Sequence, residues 1–169
     1  MAEGNLKGVV TRDEQVSDGH KIIYKFKVYR LDFIERTFHP LEYNTQCRTI
    51  PTSWKMELKC ERVSEVYDSY TFSIKLKRKD SSNHRVKASL YVSFYDVDGT
   101  PALYPISSSK DRMVHDDELH GTFYNILPSV LSKLVAVEVA IAVKKCHTGT
   151  WQCASKVNTD KNSINLSRL

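Results

Sequence analysis

The chain has 169 residues, a formal net charge of +5 and four cysteines, with 41% hydrophobic and 27% charged residues. Those proportions fit one folded domain and exclude a disordered chain, a collagen-like chain and a disulfide-dense miniprotein. The longest apolar run, Leu134 to Val143, contains Glu138 and falls far short of the ~20 residues that span a bilayer, so no membrane partner is expected.

Residues 1–19 read as a polar leader with Gly4, Gly8 and Gly19. They hold no apolar stretch of signal-peptide length, which predicts a cytoplasmic or nuclear chain with reduced thiols at Cys47, Cys60, Cys146 and Cys153. The first strand pattern follows, with Tyr24, Phe26 and Val28 alternating with Lys25, Lys27 and Tyr29. Asp32 to Ser53 reads as irregular. Trp54, Met56, Leu58 and Cys60 then alternate with Lys55, Glu57 and Lys59.

A hairpin is predicted next. Tyr70, Phe72, Ile74 and Leu76 form one arm, Asp80-Ser81-Ser82-Asn83 the turn, and Val86, Ala88, Leu90, Val92 and Phe94 the other arm. Asp96-Val97-Asp98-Gly99 supplies a closing turn. Residues 100–122 read as irregular and polar, and 123–131 as a short helix started or interrupted by Pro128. Lys133 to Lys145 is almost continuously apolar and predicts a central strand covered on both faces. The pattern as a whole predicts an all-β antiparallel sandwich of about seven to eight strands with at most one short helix. It spans residues 20–145, and a polar tail follows over 146–169.

The order of these features resembles the MATH domain, the β-sandwich also found at the C-terminus of TRAF adaptors. The residues that carry the resemblance are Phe26-Lys27-Val28 with Leu31 and Phe33, Trp54 at the start of its strand, the two arms over 70–95, the Asp96-to-Gly99 turn, and the strand from Ser132 to Val139. It is closest to the MATH half of speckle-type MATH-plus-BTB adaptors. Three features depart from that group: Phe26 stands where a Trp is usual, the stretch between Gly99 and Leu134 is short and lacks a Trp-Gly-Phe-like segment, and no BTB domain follows.

The resemblance implies a non-enzymatic module that holds a short extended segment of a partner protein, as the substrate-recognition part of a ubiquitin-ligase adaptor. It places the partner-binding positions near Lys75, Lys77, Leu90, Val92 and Tyr104. An aromatic pair is usual in such a groove, and Lys and Leu stand here instead.

Other constellations give weaker signals. The basic residues Lys75, Lys77, Arg78, Lys79, Arg85 and Lys87 flank one turn, and they support the alternative of a domain that binds nucleic acid or acidic partners. A third reading is a structural or assembly protein. His115 and His120 sit among carboxylates, but a five-residue spacing suits neither one helix face nor one strand face. Cys146-His147 and Cys153 are too widely spaced for the usual zinc pairs. No nucleophile elbow, phosphate loop or dinucleotide fingerprint occurs. No catalytic or metal residue and no cofactor is therefore expected.

Overall fold

The computed structural model describes residues 7–28, 36–64 and 68–147. These residues form β1 (Gly8–Val16), β2 (Gly19–Lys27), β3 (Arg36–Thr37), β4 (Leu41–Asn44), β5 (Ser53–Ser64), β6 (Ser69–Arg78), β7 (Val86–Tyr95), β8 (Ile106–Met113), β9 (Glu118–Ile126), α1 (Pro128–Leu131) and β10 (Ala136–Lys144). The first sheet has the order β1-β2-β10-β7-β8. The second has the order β3-β5-β6-β9, with β4 also paired to β5. Every pairing between these strands is antiparallel. The fold is an all-β sandwich with one short helix.

Alternation in the sequence sets the inner faces. Tyr24, Phe26 and Val28 are buried on β2 and just beyond it, as are Trp54, Met56, Leu58 and Cys60 on β5. The even-numbered residues from Tyr70 to Leu76 on β6 and from Val86 to Phe94 on β7 are buried too. The rings of Phe26, Phe38, Phe72, Phe94 and Phe123 form a chain of edge-to-face contacts at centroid distances of 5.3, 5.6, 5.0 and 6.5 Å. This chain passes from Phe26 in the first sheet to Phe72 in the second, back to Phe94 in the first and again to Phe123 in the second, and each contact adds orientation preference to the apolar burial.

The arms predicted as a hairpin do not pair. β6 lies in the second sheet and β7 in the first, so Lys79 to Arg85 crosses between the layers. A period-2 pattern on either side of a turn fits both arrangements, because in each the two apolar faces meet the same core. Arg78 favours the crossing. Its guanidinium is fully buried and donates Nε and Nη2 to Asp80 Oδ2 and Oδ1, both at 2.9 Å. Its Nη1 donates to the carbonyls of His84 and of Met113 at the end of β8. Asp80 Oδ2 also accepts from the Ser53 N–H at 3.0 Å. The ion pair therefore ties the crossing to strands of both sheets. Further on, Asp96 Oδ1 accepts from the N–H groups of Asp98 and Thr100, and Gly99 takes φ +74°, so the predicted Asp-to-Gly turn is present.

Five other expectations change, the first being that the helix read over 123–131 covers only Pro128–Leu131, while Phe123 to Ile126 belong to β9. Gly8–Val16 is an edge strand on β2, although its sequence reads as polar leader. The segment read as irregular over 32–53 contains β3 and β4, and the one over 100–122 contains β8 and most of β9. β8 is an edge strand whose Ser107 and Ser109–Arg112 are exposed, so it lacks the apolar alternation that marks a strand in sequence. β10 is central, as its apolar run predicts, but only one of its faces is buried. Glu138, Ala140 and Ala142 on the other face are half-buried.

Candidate functional site

The five positions suggested for partner binding do not form one surface. Leu90 and Val92 are 1% and 0% exposed, inside the sandwich on β7, where no partner can touch them. That assignment is one residue out of phase with the pleat, and a slip of one reverses the face. Lys75 and Lys77 project from the outer face of the second sheet. Lys75 Nζ pairs with Glu57 at 3.0 Å, and Lys77 Nζ with Asp116 at 3.1 Å. Hydrogen bonds from Lys55 and Lys75 hold the Glu57 carboxyl down at about 2. Tyr104 is 86% exposed, in the loop before β8.

The basic turn is also reduced. Arg78 is in the core, and Lys87 lies 3.7 Å from Asp111. Lys79 and Arg85 remain as exposed cations there. In the acidic loop, His115 Nδ1 contacts the Asp80 carbonyl at 2.6 Å, and His120 Nε2 contacts Glu118 at 3.1 Å. The two imidazoles thus have separate partners.

The outer face of the first sheet has a different character. Tyr91 on β7 is 46% exposed. It pairs across the sheet with Ala140 of β10 and Ser107 of β8, and Ala140 pairs with Ile23 of β2. The next outward row is Ser109, Ser89, Ala142 and Lys21, and the row on the other side contains Ser93, Glu138 and Lys25. Small side chains therefore surround one large exposed ring. At one end of this lane a depression of about 370 Å³ is lined by Lys25, Lys27, Tyr95, Asp96, Val135 and Glu138, among others. At the other end Lys87 and Lys145 converge on Asp111.

A second cluster lies between the sheets, where β2 begins and β10 ends. His20, Cys47, Cys146 and His147 each offer a ligand atom, and these four atoms lie within 4.8 Å of one another. Both cysteines are buried and both histidines half-buried. The Nε2 atoms of His20 and His147 are 3.0 Å apart, with the rings at 86°. Cys47 Sγ donates to the Cys146 carbonyl at 3.5 Å, and Cys146 Sγ to the Val143 carbonyl at 3.8 Å.

Local structure aims each of these side chains. Gly19 pairs with Lys144, and His20 with Val143. A Cβ on Gly19 would lie 1.9 Å from the Val143 carbonyl oxygen, so glycine permits the close approach that brings His20 to the end of β10. Lys145 takes φ 64°, and this bend lets the adjacent Cys146 and His147 point into one space, which successive residues of a flat strand cannot do. Cys47 sits in a loop closed by two threonines. Thr45 N–H donates to the Thr52 carbonyl at 3.0 Å, and Thr52 N–H to Thr45 Oγ1 at 3.1 Å. Trp54 Nε1 donates to Thr52 Oγ1 at 2.9 Å, and Gln46 takes φ 49° just before the cysteine.

Burial first, then the neighbouring His147, pushes the His20 imidazole below its usual value. Burial, then the adjoining Cys47, pushes the Cys146 thiol up. The Tyr43 hydroxyl is buried with no hydrogen-bond partner among the described residues, and its ionisation is pushed up by burial first and then by Asp13, Tyr24 and Cys146. Sequence reading singled out Cys146-His147 but had no signal for Cys47 or His20. Cys153 lies outside the described residues.

No family model and no curated protein matches the chain. Among solved structures, the enzymatically active domain of bacteriophage CBA120 tailspike protein 4 is similar over 78% of this chain, at 9% sequence identity and a TM-score of 0.23. The match covers 19% of that protein's chain, and a likeness of this size carries no argument about fold or function.

Proposed function

We propose that the protein is a non-enzymatic, MATH-type interaction module that binds a short extended segment of a partner protein on the outer face of its first sheet. The observation that carries this reading is Tyr91. A large ring 46% exposed among Ala140, Ser89, Ser93 and Ser107 gives a flat, uncrowded lane with one stacking platform. An extended chain can lie close to such a surface, and alternate side chains of it can reach Tyr91 and the depression beside Lys25 and Lys27. The lysines at both ends favour acidic groups flanking the central contact. By resemblance to the speckle-type adaptors, the bound segment belongs to a substrate of a ubiquitin ligase, in the cytoplasm or nucleus.

The test is selection of peptides from a random display library on the folded chain, followed by binding measurements with the enriched peptide. Tyr91→Asp should abolish binding, and Lys75→Glu on the opposite sheet should leave it within about twofold, since a surface change there contributes little. Equal binding by both variants, or no enrichment, overturns the reading. A salt titration separates the nucleic-acid alternative. Binding through phosphates weakens by orders of magnitude between low and moderate salt, whereas this lane should lose much less.

A further inference from the structure

We propose that His20, Cys47, Cys146 and His147 form a structural zinc site that cross-links the two sheets.

The donor set is two thiols and two imidazoles. That combination, arranged around one point, suits tetrahedral Zn²⁺ better than the oxygen-seeking Mg²⁺ or Ca²⁺. A tetrahedral site at ordinary bond lengths puts two sulfurs about 3.8 Å apart and two nitrogens about 3.3 Å apart. The observed spread within 4.8 Å, with the two Nε2 atoms at 3.0 Å, needs small side-chain adjustments and no backbone rearrangement. Four protein ligands leave no open position, which marks a structural rather than a catalytic metal.

Charge favours the assignment. Binding Zn²⁺ releases the two thiol protons to solvent, and the two thiolates then cancel the charge of the dication. The buried complex is neutral, so it avoids the cost of an isolated buried charge. The histidines bind through neutral nitrogens and add no charge of their own. Among the described residues the same groups make a contact between imidazoles and weak thiol hydrogen bonds to the Cys146 and Val143 carbonyls.

The ligands come from β2, from the loop between β4 and β5, and from the bend after β10. β2 and β10 belong to the first sheet, and the β4–β5 loop to the second. The metal would thus clamp one end of the sandwich, and its binding energy would add to folding stability.

The experiment uses the full chain, purified under thiol reductant and without chelator. Metal content is read by elemental mass spectrometry, and ligand type by the absorption spectrum of the Co²⁺ form. One equivalent of Zn²⁺ per chain is expected, with Co²⁺ giving intense tetrahedral bands and thiolate charge transfer. Cys47→Ser and His147→Ala should each drop the content from one equivalent to none while circular dichroism still reports a folded sheet. Cys153→Ser should keep the metal. Zinc should raise the melting temperature of the wild type and leave those of Cys47→Ser and His147→Ala unchanged. If a ligand variant fails to fold, the Co²⁺ spectrum of the wild type and its loss on chelation carry the test. The proposal is overturned if the folded, reduced wild type takes up neither metal, or if its Co²⁺ spectrum lacks thiolate bands. It also fails if Cys47→Ser and His147→Ala retain the metal, if Cys153→Ser loses it, or if peptide mapping finds a Cys47–Cys146 disulfide in the protein as isolated.

Discussion

The Nε2 atoms of His20 and His147 lie 3.0 Å apart although 127 positions separate the residues along the chain. The antiparallel register of β2 against β10 produces this meeting, and Gly19 makes the register possible at that end.

Gly19→Ala should therefore be costly despite its small size. The added methyl would collide with the Val143 carbonyl oxygen, a backbone atom that cannot move without shifting β10. A loss of about 2 kcal/mol, within the range for overpacking, is expected in urea unfolding. Gly99→Ala is the contrast. Open space surrounds that position, so the left-handed φ alone should cost ~1 kcal/mol.

Arg78→Ala should destabilise by about 3 kcal/mol, the low end for a broken buried pair because Asp80 keeps some contact with water. The same pair predicts a pH dependence. Burial of Asp80 acts to raise its pKa, but hydrogen bonds from Arg78, Ser53 and Ser82 outweigh it and leave the folded value below 3.8. The contribution is complete above the unfolded value and is lost as pH falls through the lower folded one. Wild-type stability should drop below about pH 4. Asp80→Asn should be less stable at neutral pH and show a shallower acid slope, as read from denaturant midpoints at several pH values.

Phe72 touches both Phe38 and Phe94 edge-to-face, and it is fully buried. Phe72→Ala should cost ~4 kcal/mol in chemical denaturation, and Phe94→Ala a similar amount. A double-mutant cycle should show coupling of about 1 kcal/mol between them, since removing either ring deprives the other of its partner. Strict additivity would count against the ring contact as a specific term.

Leu90→Asp and Tyr91→Asp should behave as opposites. Leu90 is 1% exposed, so an aspartate there would bury an unpaired carboxylate and should prevent folding, seen as loss of the sheet signal in circular dichroism. Tyr91→Asp should stay within ~1 kcal/mol of wild type. A folded Leu90→Asp would contradict the inward face of β7.

The contrast between neighbours shows what sequence can convey. The alternation on β2, β5, β6 and β7 marked the apolar side that each strand buries, because period two is a local property, whereas the resemblance put Leu90 and Val92 of that same side in an open groove. The alternation could not say that β6 and β7 sit in different sheets, since a hairpin and a crossing bury the same residues. β1 and β8 were invisible for a related reason: edge strands keep most side chains in water and carry little apolar period. The cluster of histidines and cysteines was legible only at Cys146-His147. His20 looked like one polar residue opening a strand, and Cys47 like a thiol in a loop. Their partnership depends on strand register and on the bend at Lys145, neither of which leaves a mark in residue spacing.

The position of β10 bears on how the molecule is made. It is last of the described strands in chain order, yet it fills the middle of the first sheet between β2 and β7. During synthesis the second sheet can assemble from β3, β4, β5, β6 and β9 before β10 leaves the ribosome. The β1–β2 and β7–β8 pairs must wait as separate ribbons, each with an open edge meant for the same missing strand. Closing that gap joins residues more than a hundred positions apart, a slow step in a topology rich in distant pairings. Translation halted before Ala136 would release a chain with two matching, unpaired edges. That species is the one most prone to join copies of itself, and the one for which a chaperone would have most to cover.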